Sequence, residues 1–243
     1  MTPAIPLPCL CLVTDRSLDG SGSLVSLVVQ AVEGGVDMVQ LREKDLPGGP
    51  LLKLAQSLKD AIGDEALLII NERVDITQIT RASGVQLGED GLPVAPARHV
   101  LGPDYLIGRS VHDVAGAGLA QTKGADFLVA GTMYATRSHP GVSPAGPGLV
   151  AQMSEICRLP IIGIGGITPE NLGPVIQAGA SGVAVITSIL ASEQPRRAAE
   201  ELKQALLEAV AAMDVAVIDK KESARRMSAL GGSRDPIGGN GQA

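Results

Sequence analysis

Aromatic rings are almost missing from this chain of 243 residues, which has no Trp, one Phe and two Tyr. Whatever core it forms must be aliphatic, filled by Val, Ile, Leu and Ala. No apolar run reaches the roughly 18 residues that a membrane-spanning helix needs. No basic stretch leads into an apolar helix at the N-terminus, so a soluble, reduced, cytoplasmic protein is the expectation. Cysteine is scarce as well, with only Cys9, Cys11 and Cys157. Cys9 and Cys11 fall on one face of an extended segment, a poor geometry for a disulfide, and buried free thiols are expected. Excess positive charge is absent too. The formal charge of -6 argues against a general affinity for nucleic acid or an anionic membrane. It does not exclude a small anionic ligand, because backbone dipoles and a few Lys or Arg decide that contest locally.

What the chain has is glycine, 30 residues of it, within a composition that is 45% hydrophobic. Short apolar runs recur at Leu10–Thr14, Met38–Arg42, Leu67–Asn71, Val85–Leu87, Leu106–Ser110, Phe127–Ala130, Ile161–Gly165 and Val183–Ile186. Between them lie stretches of helical periodicity such as Leu24–Val32, Pro50–Ile62 and Pro169–Ala178, the last with Thr168 as N-cap. Eight strand–helix alternations predict a closed parallel sheet, a single (β/α)8 TIM barrel, and the length fits the roughly 250 residues typical of one. An open dinucleotide-binding sheet would want Gly-x-Gly-x-x-Gly after the first strand, and Thr14-Asp15-Arg16 stands there instead. The last helix is expected over Pro195–Ala212. Residues 1–212 form the expected domain, and 213–243 read as a polar, Gly-rich tail, disordered beyond a short helical piece.

Barrel enzymes place their chemistry at the carboxyl ends of the strands. Polar residues gather there in this chain. Gln40, Arg42 and Lys44 alternate onto one face and suit a diphosphate or another polyanion, unless Arg42 is taken up by Glu43 or Glu72. Glu72, Glu89 and Asp90 offer oxygen ligands of the kind Mg2+ prefers. Ser110 and His112 share a face, and a histidine there can move protons near neutral pH. His139 lies in a loop, 136–148, long enough to cover the mouth. Gly163-Ile164-Gly165-Gly166-Ile167-Thr168 and Ile186-Thr187 each end an apolar run in small residues where a helix should begin, the makings of a phosphate cup.

Leu12-Val13-Thr14-Asp15-Arg16, Val39-Gln40-Leu41-Arg42-Glu43-Lys44, Leu68-Ile69-Ile70-Asn71-Glu72-Arg73-Val74-Asp75, Gly84-Val85-Gln86-Leu87-Gly88 and the two glycine-cup segments resemble the thiamine phosphate synthase family. Its superfamily also holds the TenI-type thiazole tautomerases. The resemblance runs from about Leu10 to Leu207. It implies a transferase of thiamine biosynthesis that joins hydroxymethylpyrimidine diphosphate to thiazole phosphate with Mg2+ as cofactor. By the same resemblance Gln40, Arg42, Lys44 and Asn71 hold the pyrimidine diphosphate, with Ser110 beside the pyrimidine. Thr136, Ser138, Gly165, Gly166, Ile186 and Thr187 hold the thiazole phosphate. Glu72 and Asp90 are the candidate metal ligands, and Arg42, Lys44, Ser110, His112 and His139 the candidate catalytic residues. The expected partners are these small phosphorylated molecules, with a homo-oligomer left open.

The chain departs from the synthase pattern at three places. The family's Asn-Asp pair reads Asn71-Glu72, its Gly-Gln-Glu-Asp run reads Gly88-Glu89-Asp90-Gly91, and the lysine of its phosphate loop is His139. Gln86 and Gly108-Arg109-Ser110-Val111-His112 lean toward the tautomerase branch, whereas Thr132 stands where that branch can carry a histidine. Two alternatives follow: a tautomerase that aromatises thiazole phosphate, and a non-catalytic thiazole phosphate binder with a decayed metal site.

Overall fold

Strand side chains point alternately to opposite faces, so a strand buried on both faces must be apolar throughout. All eight expected runs form strands with ends within one residue of expectation; β5 and β6 each extend by one residue at the carboxyl end, to Val111 and Gly131. The computed structural model describes residues 2–18, 23–136, 141 and 143–231. The strands are β1 (Cys9–Val13), β2 (Met38–Leu41), β3 (Leu67–Asn71), β4 (Gly84–Leu87), β5 (Leu106–Val111), β6 (Phe127–Gly131), β7 (Ile161–Ile164) and β8 (Gly182–Val185). They pair in chain order, all parallel, and β8 closes on β1. This is the expected (β/α)8 barrel.

Helices α1 (Leu24–Glu33), α2 (Gly48–Ile62), α3 (Val74–Thr80), α4 (Val94–Leu101), α5 (Val114–Thr122), α6 (Pro147–Ile156) and α7 (Leu172–Gln177) follow the first seven strands. After β8 comes one short turn of helix, α8 (Thr187–Leu190), before the long α9 (Pro195–Gly231).

Two apolar layers result. Outward-facing strand residues such as Leu10, Leu12, Leu41 and Ile70 pack on the helices, together with Leu202 and Leu206 of α9. The barrel interior holds a smaller cluster that includes Cys9, Cys11, Met38, Ile69, Phe127 and Ile162. The three thiols are free, as expected. Burial, with the charge of Asp37 adding to it, pushes the Cys11 thiol up to about 12, so it behaves as a small apolar group.

Two expectations need correction. Thr168 is not the N-cap of the helix after β7. Residues 168–171 form a turn first, the Leu172 N–H donates to the Thr168 carbonyl at 3.1 Å, and α7 starts at Leu172. The second concerns the C-terminal segment. It continues as helix to Gly231 and does not stop at Ala212. Patterning misses this because the apolar periodicity that marks a docked helix stops, while Ala, Lys, Glu, Arg and Met keep a high helix propensity without it. Residues 232–243 lie outside the described residues.

Candidate active site

The carboxyl ends of the strands surround a cavity of about 370 Å³. Gln40, Arg42, Lys44, Asn71, Glu72, Asp90, Ser110, His112, Thr136, Gly165, Gly166, Ile186 and Thr187 all line it. The barrel therefore brings together every candidate site residue that falls within the described residues. Ser138 and His139 lie outside them.

On one side, β2 delivers the cations. Alternation carries Gln40 into the barrel and continues past the strand end, so Arg42 and Lys44 face the cavity while Leu41 and Glu43 turn away. Glu43 is buried and is held elsewhere. Its Oε1 accepts from Thr14 Oγ1 at 2.6 Å, and its Oε2 accepts from the Arg16 N–H at 3.2 Å. Thr14 Oγ1 in turn accepts the Arg42 N–H at 2.9 Å, which fixes the backbone from which the guanidinium projects. Neither Glu43 nor Glu72 pairs with the Arg42 guanidinium. Among the described residues the side chains of Arg42 and Lys44 carry no ion pair at all. Two unneutralised cations on one wall make a site for a multiply charged anion.

Opposite, the glycine cup is assembled from β7, β8 and the loop after β6. Gly165 and Gly166 have φ of 111° and 61°, a region that favours glycine. A Cβ at Gly165 would run into the Thr132 side chain, and one at Gly166 into the Tyr134–Ala135 backbone. The loop is held close by backbone bonds from Met133 N–H to the Ile164 carbonyl and from Tyr134 N–H to the Gly165 carbonyl, both 2.9 Å. At Ile186 the chain turns into α8, whose first intrahelical bonds run back to the Ile186 carbonyl. The amides of Thr187 and Ser188 precede those bonds and are the ones a helix start leaves for a ligand.

Asn171 is a functional support that patterning overlooks. Its Nδ2 donates to the Gly166 carbonyl at 2.9 Å and its Oδ1 accepts the Thr168 N–H at 2.8 Å, while its own carbonyl accepts from Tyr134 Oη at 2.7 Å. Ser188 Oγ adds a bond to the Ile167 carbonyl at 2.7 Å, tying α8 to the β7 loop. Short polar side chains that bond nearby backbone were the available signal.

The third wall is acidic. Glu72 sits in the left-handed region, φ 63°, and its Oε1 accepts the Gly88 N–H at 2.6 Å. Glu89 is bound to His112, with Nδ1 and Oε2 2.8 Å apart. Among the described residues no three His, Cys, Asp or Glu side chains are grouped closely enough to hold a metal ion by themselves.

The sequence profile of the family described as thiamine monophosphate synthase matches residues 10–189. The chain is 42% identical over 200 residues to a thiamine-phosphate synthase of Haloarcula marismortui, covering 80% of this chain and 95% of that protein. It is 42% identical over 197 residues to one of Chlorobium luteolum, covering 80% and 91%. A solved thiamine phosphate pyrophosphorylase from Pyrococcus furiosus superimposes with a TM-score of 0.76 at 32% identity, over 83% of this chain and 96% of that one. A solved 3-hexulose-6-phosphate synthase, at 19% identity and a TM-score of 0.58, shares the fold alone. With the profile spanning all eight strands and relatives above 40% identity along most of the chain, this protein belongs to the thiamine monophosphate synthase family.

Proposed function

We propose that this protein joins hydroxymethylpyrimidine diphosphate to thiazole phosphate, forming thiamine phosphate and releasing diphosphate. One observation carries the reading. Arg42 and Lys44, without an ion pair among the described residues, share a single cavity with Gln40, Asn71 and the glycine cup. A tautomerase acting on thiazole phosphate alone has use for the cup and none for a second anion site. The 42% identical relatives are themselves named for the synthase.

The chemistry follows from the walls. Arg42, Lys44, Gln40 and Asn71 hold the diphosphate and stabilise the negative charge that grows on it as the bond from the methylene carbon to oxygen breaks. The pyrimidine methyl cation left behind is captured by the lone pair of the thiazole nitrogen, whose phosphate the cup holds at the proper distance. Val13, Val129, Ile164, Ala184 and Val185 give the same cavity an apolar lining that would keep water from the cation. No protein nucleophile is required.

The donor set fits Mg2+ in a restricted sense. Glu72 and Asp90 are hard oxygen donors on the cavity wall beside Lys44, and Mg2+ is commonly held by one or two carboxylates plus substrate phosphates and water. Bound there, the ion would neutralise charge on the diphosphate. With no three-residue cluster among the described residues to bind it alone, it would enter together with the substrate.

A second reading rests on the His112–Glu89 pair. A carboxylate on Nδ1 leaves Nε2 to exchange protons, which is what aromatising a thiazole tautomer needs. The purified chain, given pyrimidine diphosphate, aromatic thiazole phosphate and Mg2+, is expected to form thiamine phosphate. Aromatisation of the thiazole tautomer without diphosphate release would replace the first reading with the second. Binding without either reaction would leave a thiazole phosphate binder.

No helix among the described residues is long and apolar enough to cross a membrane. A biosynthetic enzyme acting on charged metabolites belongs in the cytoplasm, and we assign it there as part of the same proposal.

A further inference from the structure

Beneath the residues that line the cavity lies a buried amide. Gln86, on β4, is 2% exposed and points into the barrel, where its register partner on β5 is Gly108. A Cβ at Gly108 would overlap both Gln86 Oε1 and the ring of Phe127, so glycine there leaves the room that the amide and the ring fill. Gln86 Nε2 donates to Ser110 Oγ at 3.0 Å. Its Oε1 meets no donor among the described residues.

We propose that Gln86 is a positioning residue that sets the direction of the Ser110 hydroxyl. A serine hydroxyl has one proton to give and lone pairs that accept. With an amide N–H occupying a lone pair from below, the hydroxyl hydrogen is turned toward the cavity, where Ser110 is one of the lining residues. Ser110 then acts as a donor to an acceptor on the bound ring, a pyrimidine nitrogen, and fixes the plane of the ring above Gln86. The inference rests on the synthase reading for the identity of that ring. A buried amide with an idle oxygen is a poor choice for packing, since a leucine of similar shape would fill the space with no polar atom left unpaired. Its retention in the layer directly below the reacting ring points to a task other than packing.

The test compares the full-length wild type with Gln86→Leu, Ser110→Ala and the double variant in kcat, in KM for the pyrimidine diphosphate and in Tm. Gln86→Leu is expected to keep or raise Tm while kcat falls about tenfold, less than the hundredfold or more of a donor removed outright, because the Ser110 hydroxyl stays in place and loses only its direction. The double variant is expected to be no slower than Ser110→Ala, because Gln86 acts only through that hydroxyl. Gln86→Glu, which can only accept from Ser110 when ionised, is expected to match Ser110→Ala. A Gln86→Leu enzyme within twofold of wild type overturns the proposal. So does a loss that adds in full to that of Ser110→Ala, or one that follows a falling Tm. Should the wild type form no thiamine phosphate, the synthase reading falls, and the same variants are then compared by calorimetric affinity for the pyrimidine diphosphate. A tenfold weaker Gln86→Leu supports the positioning role there, and equal affinities or no binding by wild type overturn it.

Discussion

The Glu72 carboxylate occupies the space that a side chain at Gly91 would need. A Cβ built on Gly91 would fall deep inside van der Waals contact with both Glu72 oxygens, and one on Gly88 would approach Oε1 nearly as closely. The two departures from the synthase pattern on this wall are therefore one event in space. A longer acid just past β3 reaches across to the turn after β4, where glycine at 91 leaves room for it. Gly91→Asp alone is expected to overpack the wall and cost about 1–3 kcal/mol of stability, with loss of turnover. Adding Glu72→Asp withdraws one carboxylate as the other is supplied, and should recover most of both losses. A double-mutant cycle in Tm and kcat checks the coupling. Additive losses would mean the two positions do not share this space.

Arg42 and Lys44 are expected to differ in kind. The Arg42 backbone is pinned through Thr14, and its planar fork can hold two phosphate oxygens at once, whereas Lys44 is an exposed point charge at the rim. Arg42→Lys should lower kcat by about a hundredfold, because a positioned donor to the departing charge is lost. Lys44→Ala should act mainly on KM for the pyrimidine diphosphate, by roughly tenfold, and less so at high salt. Steady-state kinetics at two ionic strengths separates the two effects.

The barrel could be read from apolar runs because each strand is buried on both faces, and parity alone placed Gln40, Arg42 and Lys44 correctly even past the end of β2. The cup was legible in its glycines. What patterning could not show was support that depends on contacts between distant segments. Asn171 reaches back to Gly166 from the turn before α7, Gln86 rises to Ser110 from the neighbouring strand, and Glu72 closes over Gly91. The delayed start of α7 belongs with these, since the turn before it is held by Asn171 bonds to the Gly166 carbonyl and the Thr168 N–H. The long α9 escaped for a different reason: helix propensity without an apolar stripe looks like tail.

Thr14 and Glu43 make the next case. Thr14 Oγ1 is fully buried, accepts the Arg42 N–H and donates to Glu43, so Thr14→Val strands two buried polar groups at once. The expected cost is about 2–4 kcal/mol, with a fall in kcat as Arg42 loses its anchor. Burial pushes the Glu43 carboxyl above the ordinary glutamate range, and the Thr14 and Arg16 bonds offset this only in part. The folded chain thus holds this proton more tightly than the unfolded chain does. Its stability contribution is fully present below the unfolded glutamate pKa and is lost as pH rises through the folded value. Glu43→Gln should flatten that acidic limb in a series of denaturation midpoints against pH, and a limb unchanged in the variant would assign the titration to another group.

The C-terminal helix gives the last prediction. Its first four turns dock on the barrel. Ala199, Leu202 and Leu206 are buried, Ala205, Ala209 and Val210 are partly so, and Lys203 Nζ reaches Asp37 at 2.7 Å and the Pro8 carbonyl at 3.2 Å. Asp37 Oδ2 also accepts the Leu10 N–H at 2.7 Å, so this one carboxylate joins α9 to the amino end of β1. The folding unit should therefore end near residue 212, whatever the helix does beyond it. Removing 214–243 is expected to shift Tm by no more than about 2 °C, since under 0.5 kcal/mol is at stake for a barrel of this size. Leu206→Ala in the full chain should cost about 2–5 kcal/mol through the cavity it opens. Calorimetry on the two proteins decides the matter: a truncated chain that melts as early as Leu206→Ala would place stabilising contacts in the distal helix.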